Sequence, residues 1–142
     1  AAVVRQLATV DDTFGGELKP ARLFVIRHTD DRAGNPLSTA APSTPIPEDI
    51  QQKIIEILQD LPSTIIWIDN FEDAEFDEQE PSLVKDGAII TLDNIHIQDD
   101  GSVHLAGSIY IANLGAGGAT YVLEEKGESW EITGTTGPQW IS

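Results

Sequence analysis

Two histidines on neighbouring segments, His96 and His104, have the spacing that points most directly to metal chemistry. Both segments alternate apolar and polar residues, which predicts two strands. A three-residue loop at 99–101, with Gly101 in the left-handed conformation, would join them as a hairpin. This register places His96 opposite His104 on the outward face, with Cβ atoms about 5 Å apart, so that both imidazoles can bind one metal ion.

The same register pairs the apolar residues of this hairpin. Ile97 faces Val103 and Ile95 faces Leu105, so apolar side chains meet on one face. A shared metal ion would need a third ligand, for which Asn94 or a carboxylate is the candidate. Because the sequence does not identify that ligand, two half-exposed histidines without a shared role are the alternative interpretation.

Residues 69–82 are predicted to form an acidic loop, which is the second candidate metal site. Seven carboxylates and no basic residue fall within 69–80. Calcium binds about six or more oxygen atoms, and the candidate ligands here are Asp69, Glu72, Asp73, Glu75 and Asp77. The EF-hand pattern does not match, because Phe71 and Ala74 stand where a ligand and a glycine are required. The alternative is that these carboxylates point apart into water.

The charge balance restricts the partners of this chain. It has 24 acidic and eight basic residues among 142, and its formal net charge is −16. Such a surface repels phosphate backbones and anionic lipids, so nucleic-acid binding is not expected. No apolar run approaches about 18 residues, so membrane insertion is not expected either. A protein partner, a cationic partner or a divalent ion remains; no organic cofactor is expected, calcium is the candidate ion, and the oligomeric state stays open.

The elements that would position these residues begin with one helix, predicted over Pro47–Leu61. Its apolar residues fall on a single stripe, consisting of Ile50, Ile54, Ile57, Leu58 and Leu61. Pro47 suits the first helical turn, and Pro62 ends the helix. Strands are predicted on either side, over Arg22–Thr29 and Thr64–Asp69. The intervening residues 30–46 are rich in proline and predict a surface loop.

The second half of the chain predicts an antiparallel meander. Its strands are expected over Ala88–Gln98, Ser102–Asn113, Thr120–Glu125 and Ser129–Thr135. Residues 115–118 are predicted to form a flexible connection between two of them. A turn at Lys126–Gly127 would pair Leu123 with Trp130 and Tyr121 with Ile132.

Together these elements predict one α+β domain over residues 1–142. One main amphipathic helix would pack on a curved antiparallel sheet of about five to six strands. The apolar stripe of the helix is expected to bury against the inward residues of the meander, namely Ile95, Ile97, Leu105, Ile109, Leu123, Trp130 and Ile132.

The C-terminal residues carry a resemblance to a known group of proteins. Residues 117–125, Gly127 and residues 130–142, which end Gly-Pro-Gln-Trp-Ile-Ser, resemble the tail of uncharacterised bacterial proteins. That group shares a Gly-x-Trp-x-Val turn and strand, followed by a terminal Gly-x-x-Trp-Ile-Ser. The resemblance implies a cystatin-like or NTF2-like α+β fold and an exported, secreted or periplasmic protein of the cell envelope. It implies no activity and no functional residues.

The charge balance, the candidate metal sites and the resemblance together lead to three predicted functions. The leading prediction is a non-enzymatic exported binding or interaction module with a strongly acidic surface. The second is a calcium-type divalent-cation-binding protein that uses the acidic loop or the two histidines. The third is a small hydrolase or isomerase with a pocket in the concave sheet. The chain has no cysteine and no Gly-x-Ser-x-Gly motif, and the sequence identifies no catalytic residue.

Overall fold

The computed structural model describes residues 1–37 and 43–142, so that residues 38–42 of the predicted proline-rich loop lie outside the described part. The described residues form two α-helices and the strands of one sheet. In chain order the elements are α1 (Ala2–Thr9), β1 (Arg22–Ile26), α2 (Glu48–Ile57), β2 (Thr64–Ile68), β3 (Gly87–Leu92), β4 (His96–Ile97), β5 (Val103–Ala112), β6 (Gly115–Lys126) and β7 (Ser129–Ile141).

The sheet is mixed rather than antiparallel. Its order is β2-β1-β3-β5-β6-β7, and the short β4 also pairs with β5. Strand β1 is parallel to both β2 and β3, whereas β3 to β7 pair in antiparallel fashion. The α+β class is therefore confirmed, but the prediction of an all-antiparallel sheet is wrong. The physical reason is the β1–α2–β2 crossover, because a helix between two adjacent strands returns the chain to the same end of the sheet.

The predicted helix is confirmed as α2, with a shorter span and a different packing. Ile54 and Leu58 are buried, whereas Ile50 and Ile57 are 40% and 59% exposed. Glu48 and Asp49 lie in the first turn, where the helix dipole favours anions. Because α2 belongs to the crossover at the β1–β2 end of the sheet, it does not cover the far strands. The expected partners Ile95, Ile97 and Trp130 are accordingly 65%, 77% and 43% exposed.

A second helix, α1, was not expected from the sequence, so the prediction of one main helix is wrong. Val3, Val4, Leu7 and Ala8 of α1 are buried in the same core cluster as Ile54 and Leu58 of α2. Helix α1 packs on strand β5, where Gly107 leaves room for two side chains of the helix. A Cβ atom at Gly107 would lie 2.8 Å from Leu7 Cδ1 and 2.9 Å from Val3 Cγ1. The side of the sheet that carries both helices is called the helix face below.

The first hairpin has the predicted register. His96 pairs with His104, and Ile97 pairs with Val103. Gly101 has a φ of 86°, which is the left-handed conformation expected of it. The Gln98 N–H donates to the Ser102 carbonyl at 2.9 Å and closes the loop.

The second hairpin has a different register from the predicted one. Lys126 pairs with Ser129, so Gly127 and Glu128 form the turn, and Gly127 has a φ of 67°. Trp130 therefore lies opposite Glu125 rather than opposite Leu123. The same register pairs Leu123 with Ile132, and an irregularity between Leu123 and Val122 then shifts the ladder, so that Tyr121 pairs with Thr135. Such bulges cannot be read from alternation alone.

The opposite, outer face of the sheet is covered by connecting segments. Residues 71–85 place Ala74, Phe76 and Val84 in a second apolar cluster with Phe24 and Ile89. The acidic loop is therefore anchored by its apolar residues, while most of its carboxylates stay exposed. Among the described residues, no helix has the length and apolar character needed to cross a bilayer.

The glycines at 115–118 belong to β6 and are buried, so their prediction as a flexible connection is wrong. Gly118 lies directly beneath the Ala33 carbonyl and the Trp140 indole, both of which a Cβ atom would contact too closely. The Trp140 Nε1–H donates to that carbonyl at 3.0 Å. Glycine is thus required here for close packing of a loop and a side chain against the strand.

Candidate metal centre

The parallel strands β1, β2 and β3 are followed by polar residues at one edge of the sheet. Strands β1, β2 and β3 run in the same direction, so their carboxyl ends lie at the same edge. Arg27 and His28 follow β1, Asp69 follows β2 and Asp93 follows β3. In open sheets with parallel strands, this edge is where ligands bind.

Three potential metal ligands converge beside the ends of β1 and β3. The His96 imidazole, an Asp31 carboxylate oxygen and an Asp93 carboxylate oxygen all lie within 4.8 Å of one another. His96 Nε2 is 3.7 Å from Asp31 Oδ1 and 4.0 Å from Asp93 Oδ2. We call these three residues the Asp–Asp–His cluster.

Backbone hydrogen bonds fix the segments that carry the cluster. The Asp30 N–H donates to the Leu92 carbonyl at 2.8 Å, which attaches the loop after β1 to the end of β3. The Asp93 N–H donates to the Ala106 carbonyl at 2.9 Å. His96 lies in β4, which pairs with β5. The cluster is therefore carried by three segments that the sheet itself holds together.

Asn94 orients the Asp31 side chain. Its Nδ2–H donates to Asp31 Oδ1 at 2.9 Å, and its Oδ1 accepts a hydrogen bond from Thr29 Oγ1 at 2.6 Å. The chain of contacts from Thr29 through Asn94 to Asp31 restricts the rotation of the carboxylate. Hydrogen bonds of this kind, made by residues outside the ligand set, commonly orient metal ligands.

Asp93 is the most buried member of the cluster, with 8% of its surface exposed. Its Oδ1 accepts the Asn94 N–H at 2.6 Å. Its Oδ2 lies 4.0 Å from His96 Nε2. A buried carboxylate is costly unless a cation or donors compensate its charge. The proximity of the Asp31 and Asp93 carboxylates therefore favours a cation between them.

The distances within the cluster suit a small divalent ion better than direct hydrogen bonds. At 3.7 and 4.0 Å, the His96 contacts are too long for hydrogen bonds. A tetrahedral ion with bonds of about 2.1 Å separates its ligand atoms by about 3.4 Å. The two His96 distances exceed this separation by a few tenths of an ångström, and all three ligand atoms lie within 4.8 Å of one another.

The predicted histidine pair is brought together only in part. His96 and His104 are paired across the strands as expected, but His104 does not belong to the cluster. Asn94, named as a third ligand, contacts Asp31 instead. The carboxylates beside His96 are those of Asp31 and Asp93.

The acidic loop distributes its carboxylates among separate partners. Asp69 Oδ1 lies 3.3 Å from Arg27 Nε, and Asp73 Oδ2 accepts the Asn70 N–H at 3.0 Å. Glu75 pairs with Arg22 at 2.6 Å, and this ion pair lowers the pKa of the glutamate.

Asp77 and Glu72 complete this loop. Asp77 Oδ1 accepts the N–H groups of Glu80 and Gln79, and these hydrogen bonds lower the pKa of the Asp77 carboxyl. Glu72 lies on the short 3₁₀ turn over Phe71–Asp73 and is exposed. Among the described residues, the carboxylates of this loop do not form a group with metal-ligand spacing.

Sequence reasoning missed Asp31 and Asp93. Asp31 lies in the loop predicted to be a plain proline-rich surface, and Asp93 falls inside a predicted strand. The signal that could have found them is the order strand, helix, strand over 22–69, which is typical of a parallel pair. Polar residues directly after each such strand then predict a shared edge.

Comparison of this chain with protein-family models, curated proteins and solved structures gives no match.

Proposed function

We propose that this protein is a binding module that holds a divalent cation at Asp31, Asp93 and His96. The observation that carries the proposal is the convergence of these three side chains at the carboxyl edge of the parallel strands, within 4.8 Å of one another. Asp93 is only 8% exposed, so a cation beside it would compensate the charge of a carboxylate that is largely removed from solvent. The net charge of −16 adds a general attraction for cations.

The ligand types favour a transition-metal ion over calcium. Calcium and magnesium bind oxygen atoms almost exclusively, whereas imidazole suits zinc, nickel, copper and iron. One imidazole with two carboxylates is a mixed nitrogen and oxygen set. We therefore expect zinc to bind more tightly than calcium at this cluster. Calcium binding by Asp69, Glu72, Asp73 and Asp77 stays a separate prediction.

The test is calorimetric titration of the metal-free protein with zinc chloride. We expect one site per chain, and we expect His96→Ala and Asp93→Asn each to weaken zinc binding by about 100-fold, since a direct ligand is lost. Asp93→Asn keeps the shape of the side chain, so that its effect reports on charge and ligation. His104→Ala is the matched control, because His104 is the neighbouring strand histidine outside the cluster.

Two results would contradict this proposal. One is zinc binding that persists at full strength in His96→Ala, and the other is a loss of binding in His104→Ala as large as that in His96→Ala. The second result would indicate that His96 and His104 bind the zinc ion together. Titrations of two further variants, Asp69→Asn and Asp77→Asn, with calcium and with zinc test the acidic loop separately, because these substitutions should change calcium binding alone.

A further inference from the structure

The helix face of the sheet ends in an uncovered apolar groove. Helix α1 forms one wall of this groove, and the ends of β4, β5, β6 and β7 form its floor. The groove has a volume of about 1130 Å³. It lies apart from the Asp–Asp–His cluster, whose residues do not line it.

Large apolar side chains are concentrated in this groove. Val10, Ile57, Ile95, Ile97 and Trp130 line it and are 53%, 59%, 65%, 77% and 43% exposed. Single exposed apolar residues are ordinary, but a contiguous group with polar residues at its rim marks an interaction surface. Apolar and polar residues alternate along these strands, as they do in strands with one buried face. Among the described residues, α1 and α2 cover only part of the apolar face.

The charges around the groove distinguish between the candidate occupants. A second copy of this chain would bring two surfaces of net charge −16 together. Among the charged residues at the rim, Arg5 is paired with Asp60 at 2.6 Å, and Lys126 is paired with Glu131 at 3.7 Å. Glu128 and Glu131 line the groove together with Arg5, and Asp99 and Asp100 directly precede the lining residue Gly101. With the ion-pair partners Asp60 and Lys126, acidic residues outnumber basic residues around the groove. The electrostatic field therefore opposes self-association and favours a cationic occupant.

We propose that this groove binds a basic amphipathic helix of a partner protein. The floor spans four strands, which are separated by three spacings of about 4.8 Å, or about 14 Å in all. A helix with its side chains is about 10–12 Å in diameter and fits this width. The apolar stripe of the partner would lie on Ile97 and Trp130, and its lysine or arginine residues would face the acidic rim.

The experiment uses a defined probe. It is a fluorescein-labelled peptide of 18 leucine and lysine residues, with its leucines on one helical stripe, and binding is followed by fluorescence anisotropy. We expect saturable binding to the full chain. A peptide of the same composition with scrambled order should bind at least about tenfold more weakly, because it cannot present one apolar face.

Matched variants of the chain separate apolar docking from general attraction. Ile97→Ser should weaken binding about tenfold, whereas Leu114→Ser should not change it, since Leu114 is 89% exposed and lies outside the groove. Both positions are exposed, and the unfolding midpoint of each variant confirms that the fold is kept. Equal binding of the ordered and scrambled peptides, or equal binding by Ile97→Ser and the unchanged chain, would overturn the proposal. So would a dimer in sedimentation equilibrium that Ile97→Ser dissociates, because the groove would then hold a second copy.

Discussion

Replacing Leu58 with aspartate is expected to destabilise the protein by about 4 kcal/mol or more, because it buries a charge without a partner. Leu58 is 1% exposed and lies at the end of α2, where its N–H donates to the Ile54 carbonyl. The adjacent Ile57 is 59% exposed. Ile57→Asp is therefore the matched control and should change stability by less than about 0.5 kcal/mol.

Denaturant unfolding followed by circular dichroism measures both variants. Similar midpoints for Leu58→Asp and Ile57→Asp would contradict the packing at the end of α2, because Leu58 is buried whereas the neighbouring Ile57 is exposed. This pair also tests which part of the predicted apolar stripe is buried, since the sequence placed both residues on it.

Loss of the Asp12 side chain is expected to have the second large effect on stability. Asp12 is fully buried, and its carboxylate accepts three backbone hydrogen bonds in the connection between α1 and β1. Oδ1 accepts the N–H groups of Phe14 and Gly16, both at 2.8 Å, and Oδ2 accepts that of Leu18 at 3.0 Å. Asp12→Ala removes all three acceptors at once. We expect a loss of about 3–5 kcal/mol, since each unsatisfied donor costs about 1–3 kcal/mol.

Two further variants make this prediction specific. Asp12→Asn keeps the size of the side chain but replaces one acceptor oxygen with a donor, so its cost should be intermediate. Glu17→Ala removes an exposed carboxylate from the same loop and should be nearly neutral. A midpoint for Asp12→Ala that matches that of Glu17→Ala would show that the hydrogen bonds of Asp12 do not hold this loop.

Local patterns in the sequence predict the parts of the fold that depend on neighbours in the chain. The first hairpin is an example, because loop length and the left-handed Gly101 together determine that His96 lies opposite His104. The position of α2 is another, since Pro47 and Pro62 bound a single apolar stripe. In both cases the controlling residues lie within about one turn or loop of the feature that they control.

The missed features depend on contacts between distant residues. Helix α1 has no side-chain cap, no acidic first turn and no basic last turn, and its stability comes from packing on β5. Gly107, which permits that packing, lies about 100 residues away from α1 in the sequence. The parallel pairing of β1 with β2 and β3 is likewise a property of strand order, which alternation does not specify.

The candidate site was predictable only in part, because some of its residues are brought together by contacts between distant segments. His96 was found because its hairpin is local, whereas Asp31 and Asp93 join it only when β1 and β3 lie side by side. Asp93 then ends a strand next to the loop that carries Asp31, an arrangement that neither segment shows by itself. The predicted third ligand was a carboxylate or Asn94, and the structure places two carboxylates beside His96.

Anomalous diffraction from crystals grown with zinc would show whether Asp31, Asp93 and His96 hold a metal ion. We expect a peak at the zinc edge between Asp31, Asp93 and His96, with bonds of about 2.0–2.2 Å, and no such peak in Asp93→Asn crystals. A peak located instead between His96 and His104, or at Asp69–Asp77 with the cluster empty, would contradict this expectation.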